Sequence, residues 1–173
     1  VVSGDYETGG MTIGSAETGY DGDMDYLQNQ KLSYVAFDRM LSDMVASQAS
    51  FDDVMAAVAE NYGLTREEGS ALSLNARDIS RLSAAYTFGM LPSSQRAGVT
   101  GPEEKLHYGG YNPVSVTASH ILANKAGIDF SSYSHTGVSL PVYAVGAGAE
   151  LFNGHYDNTQ IFDRFMDAMG LAK

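Results

Sequence analysis

The chain has 173 residues, enough for one buried core, and carries a net charge of −11 with 10 Lys and Arg. That balance argues against broad contact with nucleic acid or anionic membrane, because Lys and Arg supply the attraction. It leaves a small anionic substrate open, since a bound cation reverses the sign locally. Cysteine is absent, which excludes disulfides and thiolate ligands, so any zinc must be held by His and carboxylates. No apolar run reaches the ~18 residues of a membrane span, and no signal-peptide pattern is present. The sequence opens inside an apolar pair, Val1-Val2, and reads as a fragment or a processed product.

Val1 to Ser3 reads as the end of a buried strand closed by Gly4 and Asp5. In open α/β sheets ligand-binding residues lie just past the carboxyl ends of strands, which is where this reading places Asp5. Gly9-Gly10 marks a turn and Met11 to Ile13 a short return strand, followed by a polar surface loop from Ser15 to Asp25. Helical spacing then takes over. Ser33 caps a helix whose face is Tyr34, Phe37, Met40, Leu41, Met44 and Val45. Ser50 and Asp53 form a capping box for a second helix, with Phe51, Val54, Met55 and Val58 inward and Gly63 as its stop. Thr65 and Glu68 repeat that pattern for a short third helix. A fourth runs from about Ala76 to Leu91, with Ile79, Leu82, Tyr86 and Met90 on one stripe and Pro92 as terminator.

Residues 93–112 read as loop. Asn112 and Pro113 open a fifth helix, the proline sitting where a missing N–H costs nothing, and Gly127 closes it. Phe130 to Ser134 approaches His135 in extended form, and Pro141 to Val145 is the clearest strand of the chain. Glycines 146, 148 and 154 punctuate the next loop. Asp157 or Asn158 caps the last helix, whose expected buried face is Ile161, Phe162, Phe165, Met166 and Met169.

His135, in a polar setting just before a strand, is the sharpest chemical candidate. On pattern alone it is either a zinc ligand or an ordinary surface histidine, and Asp5 is either a ligand or a turn cap. His120 reads as a packing residue of the fifth helix, and His107 and His155 as solvated loop residues. Asp21, Asp23 and Asp25 alternate as in a calcium loop but lack the downstream Gly and Glu of that motif. HYGGYNP reads as a glycine-rich turn or the rim of a pocket, and the Met-rich helix faces as core.

Two motifs then carry a resemblance. HTGVSLPVYAVGAGAELFNGHYDNTQIF resembles the C-terminal signature of bacterial alkaline phosphatases, and SGDYETGGMTIG resembles the same family's Asp-His-ETGG signature. The helical middle is similar, less specifically, to the insertion of a secreted branch. The resemblance implies an α/β fold: the C-terminal part of an alkaline-phosphatase-like α/β/α sandwich. Residues 1–23 and 111–173 would belong to its core and 24–110 to a largely helical insertion. It implies a phosphomonoesterase with a phosphoseryl intermediate, two zinc ions about 4 Å apart and a nearby magnesium. Carried over by motif, Asp5 matches a ligand of the zinc that activates the serine, and His135 a ligand of the other zinc. Tyr6 departs from the pattern, standing where the family has a histidine, and a phenol must lose its proton before it can bind a metal. Nothing matches the nucleophilic serine, the remaining zinc ligands or the magnesium ligands, which the resemblance places upstream of Asp5. Ser3 is not in the nucleophile's motif. The chain alone is therefore expected to be inactive, its partners being the N-terminal part of the same protein and small phosphomonoesters. The resemblance further implies a periplasmic or extracellular protein, with dimers common in the family. A non-catalytic relative with a weakened zinc site, and a stand-alone helical binding module, are the competing readings.

Overall fold

The computed structural model describes residues 1–91 and 102–171. The chain divides into two compact units: Val1–Gly10 with Ser134–Lys173, and Met11–Tyr133.

The Met11–Tyr133 unit is helical. Its helices are α1 (Tyr34–Ala46), α2 (Phe51–Tyr62), α3 (Ala76–Gly89), α4 (Pro102–Tyr108) and α5 (Pro113–Lys125). The N-caps follow from sequence. The Ser33 hydroxyl accepts from the Ala36 N–H, and Ser50 and Asp53 make a reciprocal capping box. Asn75 and Asp78 make a second box at α3 that the sequence reading overlooked. Gly63 ends α2 at φ 71°, and a Cβ there would lie 2.9 Å from Asn29 Cβ, so only glycine fits.

Helix α5 organises this unit. It buries Val114, Ser115, Thr117, Ala118, Ile121, Leu122 and Ala123, so it is covered nearly all round rather than along one stripe. Around it pack Phe37 and Leu41 of α1, Val54, Val58 and Tyr62 of α2, and Leu82 and Ala85 of α3. Small residues on α5 permit close approach, and Ser115 Oγ donates to Asp38 Oδ1 of α1 at 2.6 Å. Two strands close the unit, β2 (Met11–Ile13) pairing antiparallel with β3 (Ile128–Phe130).

A buried ionic triad ties the ends of these helices together. Lys125 Nζ lies 3.2 Å from Asp78 Oδ2 and 3.1 Å from Glu17 Oε1, with side-chain exposures of 9%, 0% and 18%. The same Asp78 oxygen accepts from the Asn75 N–H in the α3 capping box.

The Val1–Gly10 and Ser134–Lys173 unit is sparser. β1 (Glu7–Thr8) pairs antiparallel with β4 (His135–Thr136). Val2 and Tyr143 form a single bridge with both hydrogen bonds, at 2.7 and 2.9 Å. After a 3-10 turn at Ala149–Phe152 comes α6 (Gln160–Ala168). Phe152 is buried and meets the Phe165 ring edge-on at 5.0 Å. The Arg164 guanidinium lies over the Tyr156 ring at 3.6 Å and donates to the Leu151 carbonyl.

The structure departs from several of the expectations read from sequence. Pro141 to Val145 is not a strand; it pairs only at Tyr143, and Val145 is 95% exposed. Pro141 has no N–H to donate to a ladder. Val1 and Val2 are exposed rather than buried. Thr65 to Glu68 is not helical: Thr65 Oγ1 accepts from the Glu67 N–H, and Thr65 exchanges backbone bonds with Leu72 and Leu74. Local side-chain bonding of this kind competes with a helix. Residues 102–108 form a helix rather than loop, so His107 is helical; Pro92 and residues 93–101 lie outside the described residues. The helix α6 begins at Gln160, with Asp157 accepting from Thr159 just before it. Its apolar face is not buried, Phe162 being 67% and Met169 59% exposed. No helix among the described residues is long and apolar enough to cross a membrane.

Replacing Lys125 by Met should destabilise the helical unit by about 3–5 kcal/mol, because Asp78 is left as an uncompensated buried carboxylate. Chemical denaturation followed by far-UV circular dichroism measures this. The Lys125→Met, Asp78→Asn pair should recover part of the loss.

Candidate functional site

Asp5, Tyr6 and His135 all belong to the smaller unit. The β1–β4 ladder explains why. Glu7 lies opposite Thr136 and Thr8 opposite His135, so the two motifs, distant in sequence, are neighbours in one ribbon. Further bonds hold this register. The Thr136 hydroxyl donates to Glu7 Oε2, and Glu7 Oε1 accepts from the Gly10 N–H at 2.7 Å. The Gly9 N–H donates to the Ser134 carbonyl at 3.0 Å.

Tyr6 and His135 are in direct contact. Their ring centroids are 3.8 Å apart with planes at 77°, an edge-on pair. Asp5 Oδ1 accepts from the Tyr6 N–H at 3.0 Å, a short local side-chain-to-backbone bond just before β1. A cleft of about 720 Å³ opens within this unit, lined by Asp5, Tyr6, Thr136, Phe152, His155 and Asp157 among others. His155 and Asp157 were not singled out as site residues by sequence. The signal was the HYDNT run after Gly154, whose residues line the same cleft as Asp5. Asp157 is engaged by the Thr159 N–H and hydroxyl, which hold its carboxyl below the usual carboxylate range.

These residues do not by themselves fit a zinc centre. Such a centre needs three or four donors converging on one point. Among the described residues no group of three His, Asp or Glu side chains does so. The imidazole of His135 instead meets a phenol ring.

The remaining candidates lie in the helical unit. Asp23 accepts from the Asp25 N–H, and Asp25 from Gln28 Nε2, so both serve the 3-10 turn at Met24–Asn29. His120 is half-buried, stacked 5.3 Å from Tyr133 and 5.6 Å from Phe130. Burial first, then the nearby Arg81 charge, holds its imidazole below the ordinary histidine range, while Asp129 opposes this.

No protein-family model matches the chain. No curated protein matches it either. Its structure is similar to the crystal structure of a cold-active alkaline phosphatase from the psychrophile Shewanella sp. The TM-score is 0.59 and the sequence identity 21%, over 99% of this chain. The chain spans about a third of that enzyme's length, 33%. The fold is thus alkaline-phosphatase-like, in keeping with the α/β class read from sequence.

Two outcomes follow from this geometry. In an NMR spectrum, ring protons of the Tyr6–His135 pair should be displaced by the neighbouring ring current, and Tyr6→Leu should return the His135 resonances toward ordinary values. For His120, whose folded pKa is depressed, the stability contribution is complete above its unfolded pKa and falls as pH drops from there through the folded value. Denaturation midpoints should therefore decline on acidification below about pH 6.5, and His120→Gln should flatten that decline.

Proposed function

We propose that this chain is the C-terminal part of an alkaline-phosphatase-like phosphomonoesterase, supplying some of the site but not the nucleophile. The observation that carries this is the likeness running over 99% of the chain while taking up 33% of an alkaline phosphatase. The uncovered apolar surface supports it. Val2, Tyr143, Val145, Phe162 and Met169 are all exposed. Burying such side chains contributes about 1.5–3 kcal/mol each, and the further layers of the same fold would do so.

On this reading Asp5 and His135 are zinc ligands in the whole protein, and Tyr6 takes the position of a third. The remaining zinc ligands, the magnesium ligands and the serine nucleophile come from the rest of the polypeptide. The donors of the described residues do not complete a metal site by themselves. The chain's own residues do positional work: the Glu7–Thr136 tie and the β1–β4 ladder hold His135 at Tyr6. The substrates would be small phosphomonoesters, and the location periplasmic or extracellular. Residues 1–23 and 111–173 would form part of the enzyme core, with 24–110 as insertion.

A second reading is favoured by one observation, the edge-on contact of Tyr6 with His135. It is a non-catalytic relative in which this contact replaces metal ligation and the protein serves binding.

The polypeptide extended upstream should hydrolyse an aryl phosphate at alkaline pH and lose that activity to a chelator, whereas residues 1–173 alone should not. A metal-replete extended protein without turnover would favour the second reading. Tyr6→His should then raise bound zinc, measured by atomic emission independently of activity.

A further inference from the structure

The helical unit contains a second cavity, of about 450 Å³, between α3, α4, α5 and Tyr133. That volume falls within the range of small-molecule pockets. Its walls are braced. The Tyr133 hydroxyl donates to the His107 carbonyl. Gly109, at φ +69°, leaves no room between itself and Tyr133: a Cβ there would sit 2.7 Å from the Tyr133 ring. On the other side His120 is held in a stack between Tyr133 and Phe130. Thr117 of α5 and Ser80 of α3 add hydroxyls to the lining.

Arg81 is the cation of this cavity. Its Nη1 is shielded from solvent and has no hydrogen-bond partner among the described residues. A shielded guanidinium N–H without an acceptor is costly, and such groups are generally matched by a partner. No carboxylate lies within ion-pair distance of Arg81 among the described residues, whose ion pairs involve Arg66 and Lys125. The aromatic groups nearby are neutral: the Tyr108 and Tyr133 phenols are pushed up by burial, and His120 is held down by it. The cavity therefore combines one planar cation without an acceptor with aromatic walls, while the carboxylates that act on its Tyr108 and His120, Glu104 and Asp129, are not among its lining residues. The acceptor that matches a guanidinium fork is a carboxylate or phosphate oxygen pair.

We propose that this cavity is a binding site for a small organic anion, held through its carboxylate or phosphate by Arg81 against the Tyr133 and His120 rings. The site lies wholly in the helical unit and does not rest on the phosphatase reading.

Benzoate and inorganic phosphate, titrated separately into the chain and followed by NMR of the His120 and Tyr133 ring signals, test this. Saturable shifts are expected with at least one. A response to benzoate alone makes the ligand a planar carboxylate, and a response to phosphate alone makes it a phosphate. Arg81→Met should weaken that binding by about tenfold to a hundredfold, the loss of a charge-assisted hydrogen bond. Where Arg81→Met fails to fold, modification of wild-type Arg81 by phenylglyoxal, read by mass spectrometry, decides, because bound probe should protect it. Flat titrations in both arms, unchanged affinity in a folded Arg81→Met, or no protection of Arg81 would each overturn the proposal.

Discussion

The helical unit depends on a single buried cation. Lys125 stands at the C-terminal end of α5 and meets Asp78 in the first turn of α3 and Glu17 in the loop after β2. An ion pair removed from water gains little over an apolar contact, but leaving one partner alone is expensive. The triad therefore acts less as glue than as a constraint. Any arrangement that separates α5 from α3 strands a carboxylate of 0% exposure. The Asp78 capping box adds to this, since the oxygen facing Lys125 also closes the N-terminus of α3. One residue thus couples the start of a helix to the end of another, and the Leu82, Ala85, Ile121 and Leu122 contacts follow from that registration.

The smaller unit is governed differently. It has Phe152 as its buried apolar residue, while α6 presents a one-sided apolar face to solvent. Its order comes from polar ties: Glu7 to Thr136 and Gly10, Gly9 to Ser134, and Val2 to Tyr143. Backbone pairing sets position without requiring a large core, so the two motifs can be neighbours in a ribbon that buries little. An apolar surface of this extent on a small unit is the kind of surface that marks an interaction site.

Much of the helical architecture was legible because its signals are local. Ser33, Ser50 with Asp53, Asn112 with Pro113, and Gly63 act within one turn of themselves, and their chemistry reads directly from spacing. Burial was less legible, because it depends on what covers a face. The residues Ile161, Phe162 and Phe165 have helical spacing and lie on α6, yet Phe162 stays 67% exposed, and Phe165, which meets the Phe152 ring, is still 39% exposed. The strand read at Pro141 to Val145 fails in the same way: apolar composition expresses a demand for partners and does not supply them. That the segments carrying Asp5, Tyr6 and His135 lie side by side was legible through their motifs. His155 and Asp157 lie in the same motif stretch, but that the loop after Phe152 brings them to the cleft lined by Asp5 depends on the path of the chain and could not be read from the run itself.

Position and chemistry separate at Tyr6. The framework around it resembles the phosphatase motif on both sides, with Asp5 before it, Glu7 bonded to Thr136 after it, and His135 across the ribbon. A backbone framework of this kind tolerates a change of side chain, since its hydrogen bonds do not involve the ring. A metal site does not, because an imidazole offers a lone pair while neutral and a phenol offers an effective one only after losing its proton. The phenol ring makes an edge-on contact with His135 that requires no ion. The ribbon is thus held together by interactions that need no metal, which separates its folding from metal binding. A change of side chain at this position therefore need not cost the fold.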